Sequence, residues 1–168
     1  MHKLKIAQPC QQLRSFVRTY AQRDTDVGDP VVREPVPAQV EQILAFELGE
    51  PVDIWHADGR HQLSDTAAVW GAQSRFAAYM GLRPGVQSFG IFFQPTGFSQ
   101  LFAIPMHELT DRAEDASSVV GNTIRALWNR LGEACNFEER VYQPNVSYCR
   151  VSPNDAFLTG SPELPITS

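Results

Sequence analysis

The sequence predicts an α+β protein that is mainly β, in which a small antiparallel barrel or sandwich is followed by C-terminal helices. At least six short segments with β-type patterning, separated by turn residues, precede position 94. The apolar period then changes from 2 to 3.6 residues after a Pro-Thr-Gly corner at 95–97. Because the early strands are not separated by helical segments, a barrel or sandwich is favoured over a parallel sheet.

The first strand is predicted to end at Tyr20. The preceding stretch begins at Gln8 and places apolar residues at helical spacing before the chain becomes extended. Residues 23–39 are polar and interrupted by glycine and prolines, so we expect a long connection there.

The central strands follow from alternation and turns. Leu44, Phe46 and Leu48 share one face of a strand, and the glutamates at 41 and 47 share the other. The Asp58-Gly59 pair predicts a hairpin. The segments "TAAVW", "RFAAYM" and residues 86–93 are predicted to be further strands.

The longest helix is predicted to start at Asp115, a plausible N-cap. One apolar stripe runs along it, made of Val119, Val120, Ile124, Leu127, Trp128 and Leu131. Either the sheet or a partner subunit can cover this stripe. We therefore name a candidate interface, which comprises Phe92, Ile124, Leu127, Trp128 and Leu131.

Composition excludes several classes of protein. The 168 residues carry a net charge of −5 and lack an apolar run long enough to span a membrane, so we expect neither nucleic-acid nor membrane binding. The N-terminus lacks the apolar region of a secretory signal, which predicts a cytoplasmic protein. Three widely spaced cysteines indicate reduced thiols rather than a disulfide framework.

Catalytic motifs are not found in the sequence. It contains no G-x-S-x-G elbow, P-loop or G-x-G-x-x-G turn, so we expect no catalytic residue and no cofactor. His56 and His61 flank the predicted hairpin and are either surface residues or two of the three ligands that a metal site needs. We favour the surface reading and assign no metal site.

Aromatic residues concentrate in the predicted strands. Core packing explains most of them, but a small barrel often encloses one ligand, with polar side chains fixing its orientation. The candidate ligand-binding residues are Gln42, Phe46, Trp55, Trp70, Gln73, Tyr79 and Phe93.

The order of several segments resembles one branch of the AraC-type transcription regulators. "PCQQLRSFVRTY" resembles the entry segment of that family, and "WGAQSRF" resembles its Gly-x-Gln-x-Arg stretch. "FGIFFQPTGFSQLFAIPMHELTDR" resembles its strand, Pro-x-Gly corner and Glu-Leu-x-Asp-Arg segment, and "LWNRLGEACNFEERV" its closing helix. The resemblance spans residues 8–141.

This resemblance implies a cupin-like barrel followed by helices, which serves as an effector-sensing or dimerising domain. Residues 1–142 would form that domain, and residues 143–168, with four prolines, an irregular tail. The corner would be where barrel meets helix, with Gly97 supplying a positive φ. Phe92 stands where relatives often carry a polar residue.

The expected function is therefore non-catalytic ligand sensing or dimerisation, without a DNA-binding half in this chain. The expected partners are a small-molecule effector, and a second copy or a full-length regulator as a dimer partner. The alternative is a metal-dependent cupin enzyme acting on a small molecule, which needs at least three converging ligands.

Overall fold

The fold was analysed in a computed structural model that describes residues 2–76 and 78–149. These residues form two antiparallel sheets and a set of mostly C-terminal helices. The strands are β1 (Lys3–Ala7), β2 (Val17–Asp24), β3 (Val32–Val36), β4 (Ile43–Glu47), β5 (Asp53–His56), β6 (His61–Leu63), β7 (Ala67–Trp70), β8 (Ala78–Leu82), β9 (Gln87–Phe93) and β10 (Ala113–Asp115). The helices are α1 (Gly97–Phe102), α2 (Ala116–Val120), α3 (Thr123–Glu133) and α4 (Phe137–Cys149).

The strands are divided unequally between the sheets. The larger sheet has the order β1-β2-β9-β4-β7-β10, and the smaller one has the order β3-β8-β5-β6. Every pairing is antiparallel. The prediction of an α+β protein with mainly antiparallel strands is confirmed.

The main core lies between the larger sheet and the helices. It is built from alternate residues of the strands, because successive side chains of a strand point to opposite faces. The sheet contributes Tyr20, Leu44, Phe46, Val69, Phe89, Ile91 and Phe93, and the helices contribute Phe98, Leu101, Ile124, Leu127, Leu131 and Phe137. Burying each of the larger side chains stabilises the fold by roughly 1.5–3 kcal/mol.

Three strands, β1, β3 and β10, lie where none was expected. The predicted connection at 23–39 contains β3, which pairs with β8 and forms an edge of the smaller sheet. β1 pairs with β2, which continues beyond Tyr20 to Asp24. An edge strand tolerates the prolines around β3 because only one side of the strand needs hydrogen bonds.

The predicted long helix is interrupted. Asp115 is an N-cap, as expected, and its side chain accepts a hydrogen bond from the backbone N–H of Ser118, but the helix it caps ends after Val120. Gly121 follows with a φ of 102°, a conformation that favours glycine, and α3 begins at Thr123. The predicted apolar stripe is therefore divided between two helices.

The Pro-Thr-Gly corner joins β9 to α1 as predicted, but not for the predicted reason. Gly97 does not have a positive φ. Instead, a Cβ atom at this position would lie 1.9 Å from the carbonyl oxygen of Phe16. Glycine is needed here because the corner packs directly on the backbone before β2.

Two predictions for the ends of the chain require correction. Residues 143–149 are not an irregular tail, since α4 continues to Cys149 and Asn145 accepts hydrogen bonds from Tyr20 and from the backbone of Cys10. Cys10 and Cys149 are not free thiols but are paired as a disulfide across 139 residues. The rest of the predicted tail, 150–168, lies outside the described residues. No helix in the described ranges has both the length and the apolar character to cross a membrane.

Candidate ligand-binding cavity

A cavity of about 300 Å³ lies between the two sheets, on the side of the larger sheet that faces away from the helices. We call it the inter-sheet cavity. It is lined by side chains of β2, β4, β7 and β9 from one sheet and of β3, β5 and β8 from the other. Its volume is at the lower end of the range for small-molecule sites.

The floor of the inter-sheet cavity is a row of four small residues. Ala21, Gly90, Ala45 and Ala68 are successive cross-strand neighbours on β2, β9, β4 and β7. All four line the cavity. Opposed residues on neighbouring strands are about 5 Å apart, so the row forms a shallow floor where larger residues would fill the space.

A polar row borders this floor at one end. Arg23, Ser88 and Glu47 are cross-strand neighbours on β2, β9 and β4, and all three line the cavity. Arg23 Nη1 lies 2.5 Å from Glu34 Oε2, a salt bridge that connects β2 of the larger sheet to β3 of the smaller sheet. The charge of Arg23 is thus already balanced.

Glu47 is the acid of this row without a basic partner. Its Oε2 atom accepts a hydrogen bond from the Ser88 hydroxyl, and within the described ranges no other side chain donates to this carboxylate. Burial raises the pKa of Glu47 to about 7, an effect that the hydrogen bond from Ser88 offsets only in part. The Trp128 indole N–H donates to the backbone oxygen of Glu47 over 2.7 Å and holds this end of β4.

An apolar row borders the floor at the other end. Phe92, Ile43 and Trp70 are cross-strand neighbours on β9, β4 and β7, and each lines the cavity. Ile43 and Glu47 are four positions apart on β4, which corresponds to about 13 Å. The inter-sheet cavity therefore runs from a carboxyl group to an aromatic wall, and the Phe92 ring of that wall reaches over Gly90 of the floor.

Of the seven predicted ligand-binding residues, Trp70 is the one that lines this cavity. Phe46 and Phe93 are completely buried, but in the main core on the helix side of the sheet. Gln42 directly precedes β4 and is also fully buried. Neither atom of its side-chain amide group forms a hydrogen bond to another described residue. Phe46 and Phe93 were predicted from their aromatic type, and they lie on the strand face that packs on the helices.

Trp55 and Tyr79 lie on the outer face of the smaller sheet, away from the cavity. They are cross-strand neighbours, and the Arg33 guanidinium lies 4.8 Å and 4.3 Å from the two ring centroids. Gln73 is buried, but its side-chain amide donates to the carbonyl of Gly71. These three candidates therefore stabilise local structure and do not approach the inter-sheet cavity.

The candidate interface requires correction as well. Ile124, Leu127 and Leu131 are 0–2% exposed and pack in the main core, because α3 lies on the sheet and not on a partner. Trp128 is half-buried and bonded to β4, and Phe92 lines the inter-sheet cavity. The surface that the sequence offered for a partner is occupied within the chain.

His56 and His61 do not converge. His61 is paired with Trp55 across the hairpin, so the rings of His56 and His61 lie on opposite faces. His61 Nε2 is 2.8 Å from Asp53 Oδ1, and Arg83 binds the other oxygen of Asp53. Burial acts to raise the pKa of Asp53, but hydrogen bonds from Arg83 and His61 outweigh it and hold the pKa below its usual value. In the described part of the chain, no three His, Cys, Asp or Glu side chains are grouped as a metal site would require.

Two of the segments that resemble AraC-type regulators are hydrogen-bonded to each other. Asp111, in the Glu-Leu-x-Asp-Arg segment, accepts hydrogen bonds from the backbone N–H and the hydroxyl of Ser74, at 2.7 Å and 2.6 Å. The backbone N–H of Asp111 donates to Ala72, and that of Gly71 to Arg112. Hydrogen bonds thus join the Gly-x-Gln-x-Arg stretch to the segment before β10, which is a structural role.

Glu47, Ser88 and the row of small residues line the cavity but are not among the predicted ligand-binding residues. Alternation in the sequence places Glu47 on the polar face of β4, which is indistinguishable from a solvent face until the pairing partners are known. The available signal was one alanine or glycine in each of four strands, at positions 21, 45, 68 and 90. Alignment of those positions into one row depends on the register of four strands.

A family model described as "Domain of unknown function (DUF6597)" matches residues 5–115. None of the curated proteins matches the sequence. The matched range extends from β1 to the end of β10 and so includes both sheets and every row of the inter-sheet cavity. Because the match covers more than half of the 168 residues, the chain belongs to the DUF6597 family of domains of unknown function.

Proposed function

We propose that this chain is a non-catalytic sensor domain that binds a small molecule in the inter-sheet cavity. In this proposal the two sheets form a cupin-like barrel related to the sensing domain of AraC-type transcription regulators. The observation that carries the proposal is a cavity of about 300 Å³ over a floor made only of alanine and glycine.

The cavity has the composition of a ligand site. Sites for small molecules are mostly apolar and contain a few polar groups that fix the orientation of the ligand. Here Phe92, Ile43 and Trp70 form an apolar wall, and Glu47 and Ser88 supply polar atoms at the other end. A space that served only stability would be filled, since protein interiors are close-packed and voids cost free energy.

The relation to AraC-type regulators rests on the segments that resemble that family. In this chain they lie at the joints of the fold, by which we mean contacts between elements that are distant in the sequence. The Pro-Thr-Gly corner packs on the backbone of Phe16 in the entry segment, and Asp111 binds Ser74. Arg140, in the Glu-Arg-Val ending, donates to Gln22 of β2 and to the carbonyls of Leu131 and Ala134. Residues at such joints are expected to persist among relatives that share the fold.

The proposal is tested by a thermal-shift screen of the full chain against small metabolites, because a molecule that binds only the folded state raises the unfolding temperature. Each hit is measured again with Ala45→Leu, which places a branched side chain on the cavity floor. Ala126→Leu makes the same change on the exposed side of α3 and is the matched control.

We expect at least one compound to stabilise the wild type and Ala126→Leu, and to lose its effect on Ala45→Leu. Hits that stabilise all three proteins equally would place binding elsewhere and contradict the proposal. A screen without a hit, together with higher stability of Ala45→Leu than of the wild type, would identify the cavity as a packing defect and also contradict it.

A further inference from the structure

We propose that the inter-sheet cavity selects an elongated apolar molecule with a protonated amino group at one end, which is bound by the carboxylate of Glu47. This inference rests on the proposed function and specifies its ligand class. It follows from the charges that line the cavity, from the position of Glu47 and from the length of the apolar floor.

The charges leave one acid to be paired. The charged side chains lining the cavity are Arg23, Glu34 and Glu47, and the first two form a salt bridge with each other. Ser88 donates one hydrogen bond to Glu47, which a carboxylate with two oxygen atoms does not exhaust. A ligand ammonium group would supply the missing cation, whereas a ligand carboxylate would be repelled by Glu47.

The surroundings of Glu47 strengthen such a pair. Its side chain is largely removed from water, and burial raises its pKa to about 7, so an unpaired charge is unfavourable there. An ammonium group adds a Coulomb attraction to its hydrogen bond with the carboxylate, and this attraction is stronger where water is partly excluded. A partly buried carboxylate with a free acceptor therefore discriminates between an amine and a neutral analogue of the same shape.

The remainder of the ligand is determined by the rows of the larger sheet. Glu47 and Ile43 are about 13 Å apart along β4, and between their rows the larger sheet contributes the single row of small residues, which the Phe92 ring covers in part at Gly90. Met80 and Ile54 line the cavity from the smaller sheet. A chain or ring system attached to the amino group fits this channel with its far end against Trp70.

Three matched probes test the inference by calorimetric titration of the full chain at pH 8: 4-phenylbutylamine, the corresponding alcohol 4-phenylbutanol, and the acid 4-phenylbutyrate. We expect the wild type to bind the amine at least about tenfold more tightly than the alcohol, and the acid most weakly. In Glu47→Gln the preference for the amine over the alcohol should fall to less than about twofold. Glu50→Gln removes a charge from the exposed turn after β4 and should keep the wild-type preference.

A second measurement needs no variant. With a pKa of about 7, the ionised fraction of Glu47 increases about tenfold between pH 6 and pH 8, while an alkyl amine stays protonated. The other charged groups that line the cavity are Arg23 and Glu34, and the neighbouring Ser88 and Trp128 do not titrate in this range. Amine affinity should therefore rise about tenfold over this interval and alcohol affinity should not.

The outcomes separate this inference from the proposed function. Equal binding of the three probes, tighter binding of the acid, or an amine preference that survives Glu47→Gln would overturn the inference and leave a sensor domain of other specificity. Failure of the wild type to bind the amine at millimolar concentration would also overturn it. The proposed function would still stand if a hit of the metabolite screen were lost in Ala45→Leu.

Discussion

Replacing Glu47 with glutamine tests whether the polar end of the inter-sheet cavity holds an acid whose pKa is raised by desolvation. Glutamine keeps the size of the side chain and its ability to accept a hydrogen bond from Ser88, but it cannot ionise. The variant should therefore become more stable relative to the wild type as pH rises. The effect is a property of the protein alone and requires no ligand.

Its magnitude follows from the two pKa values. The Glu47 carboxyl titrates at about 7 in the folded protein, against an ordinary value of 4.5. As pH rises between these values, the unfolded chain releases the proton before the folded one, so the folded state holds more protons and loses stability. From pH 5 to pH 8 this loss is about 2.5 kcal/mol, and it is absent from Glu47→Gln.

The assay is urea unfolding of both proteins at several values between pH 5 and pH 8, with the difference in unfolding free energy plotted against pH. Taking the difference cancels the titration of all other groups. Glu50→Gln controls for the loss of one negative charge from the whole molecule. A difference between Glu47→Gln and wild type that stays constant within about 0.5 kcal/mol would refute the reasoning, because a buried acid cannot titrate without this linkage.

Three further substitutions test the joints of the fold by denaturant unfolding. Gly97→Ala should destabilise the fold by about 1–3 kcal/mol because the added Cβ would collide with the Phe16 carbonyl. Gly28→Ala is the control, since a Cβ there meets no atom within 4 Å, and it should not destabilise the fold. Equal effects of the two substitutions would contradict this explanation. Trp128→Phe should cost about 1 kcal/mol through its lost hydrogen bond to β4, and no cost would mean that packing alone fixes α3. Arg140→Met should cost at least about 2 kcal/mol by leaving three buried acceptors unpaired, and a neutral result would show that they find other donors.

The fold was largely predictable where a local sequence pattern identifies a single element. Alternation identified β4, the Asp58-Gly59 pair identified the hairpin between β5 and β6, and the change of period located the start of α1. β3 was missed because its prolines indicate a loop, although an edge strand accepts them. The break at Gly121 was missed because apolar spacing continues through it and the positive φ of a glycine leaves no mark in the spacing.

The candidate site was less predictable because its residues come from different strands and are brought together by the register of strand pairing. Trp70 was identified from its type alone, but aromatic residues in strands mark core and cavity equally. Glu47 looked like a solvent-facing residue, since a sequence does not reveal which polar face of a strand another sheet will cover. The disulfide between Cys10 and Cys149 depends on a contact across 139 residues, which no local spacing predicts.

The main core and the inter-sheet cavity lie on opposite faces of the same strands. In β9, Phe89, Ile91 and Phe93 pack in the main core, while the alternate residues Ser88 and Gly90 belong to the cavity. Large side chains on the helix side supply most of the burial, so the cavity side can keep small residues without endangering the fold. Under the proposed function the floor residues can differ with the ligand, whereas a one-residue slip of register would exchange the two faces of each strand and disrupt both the core and the cavity. The proposed function therefore predicts that changes on the floor alter ligand specificity before they alter stability.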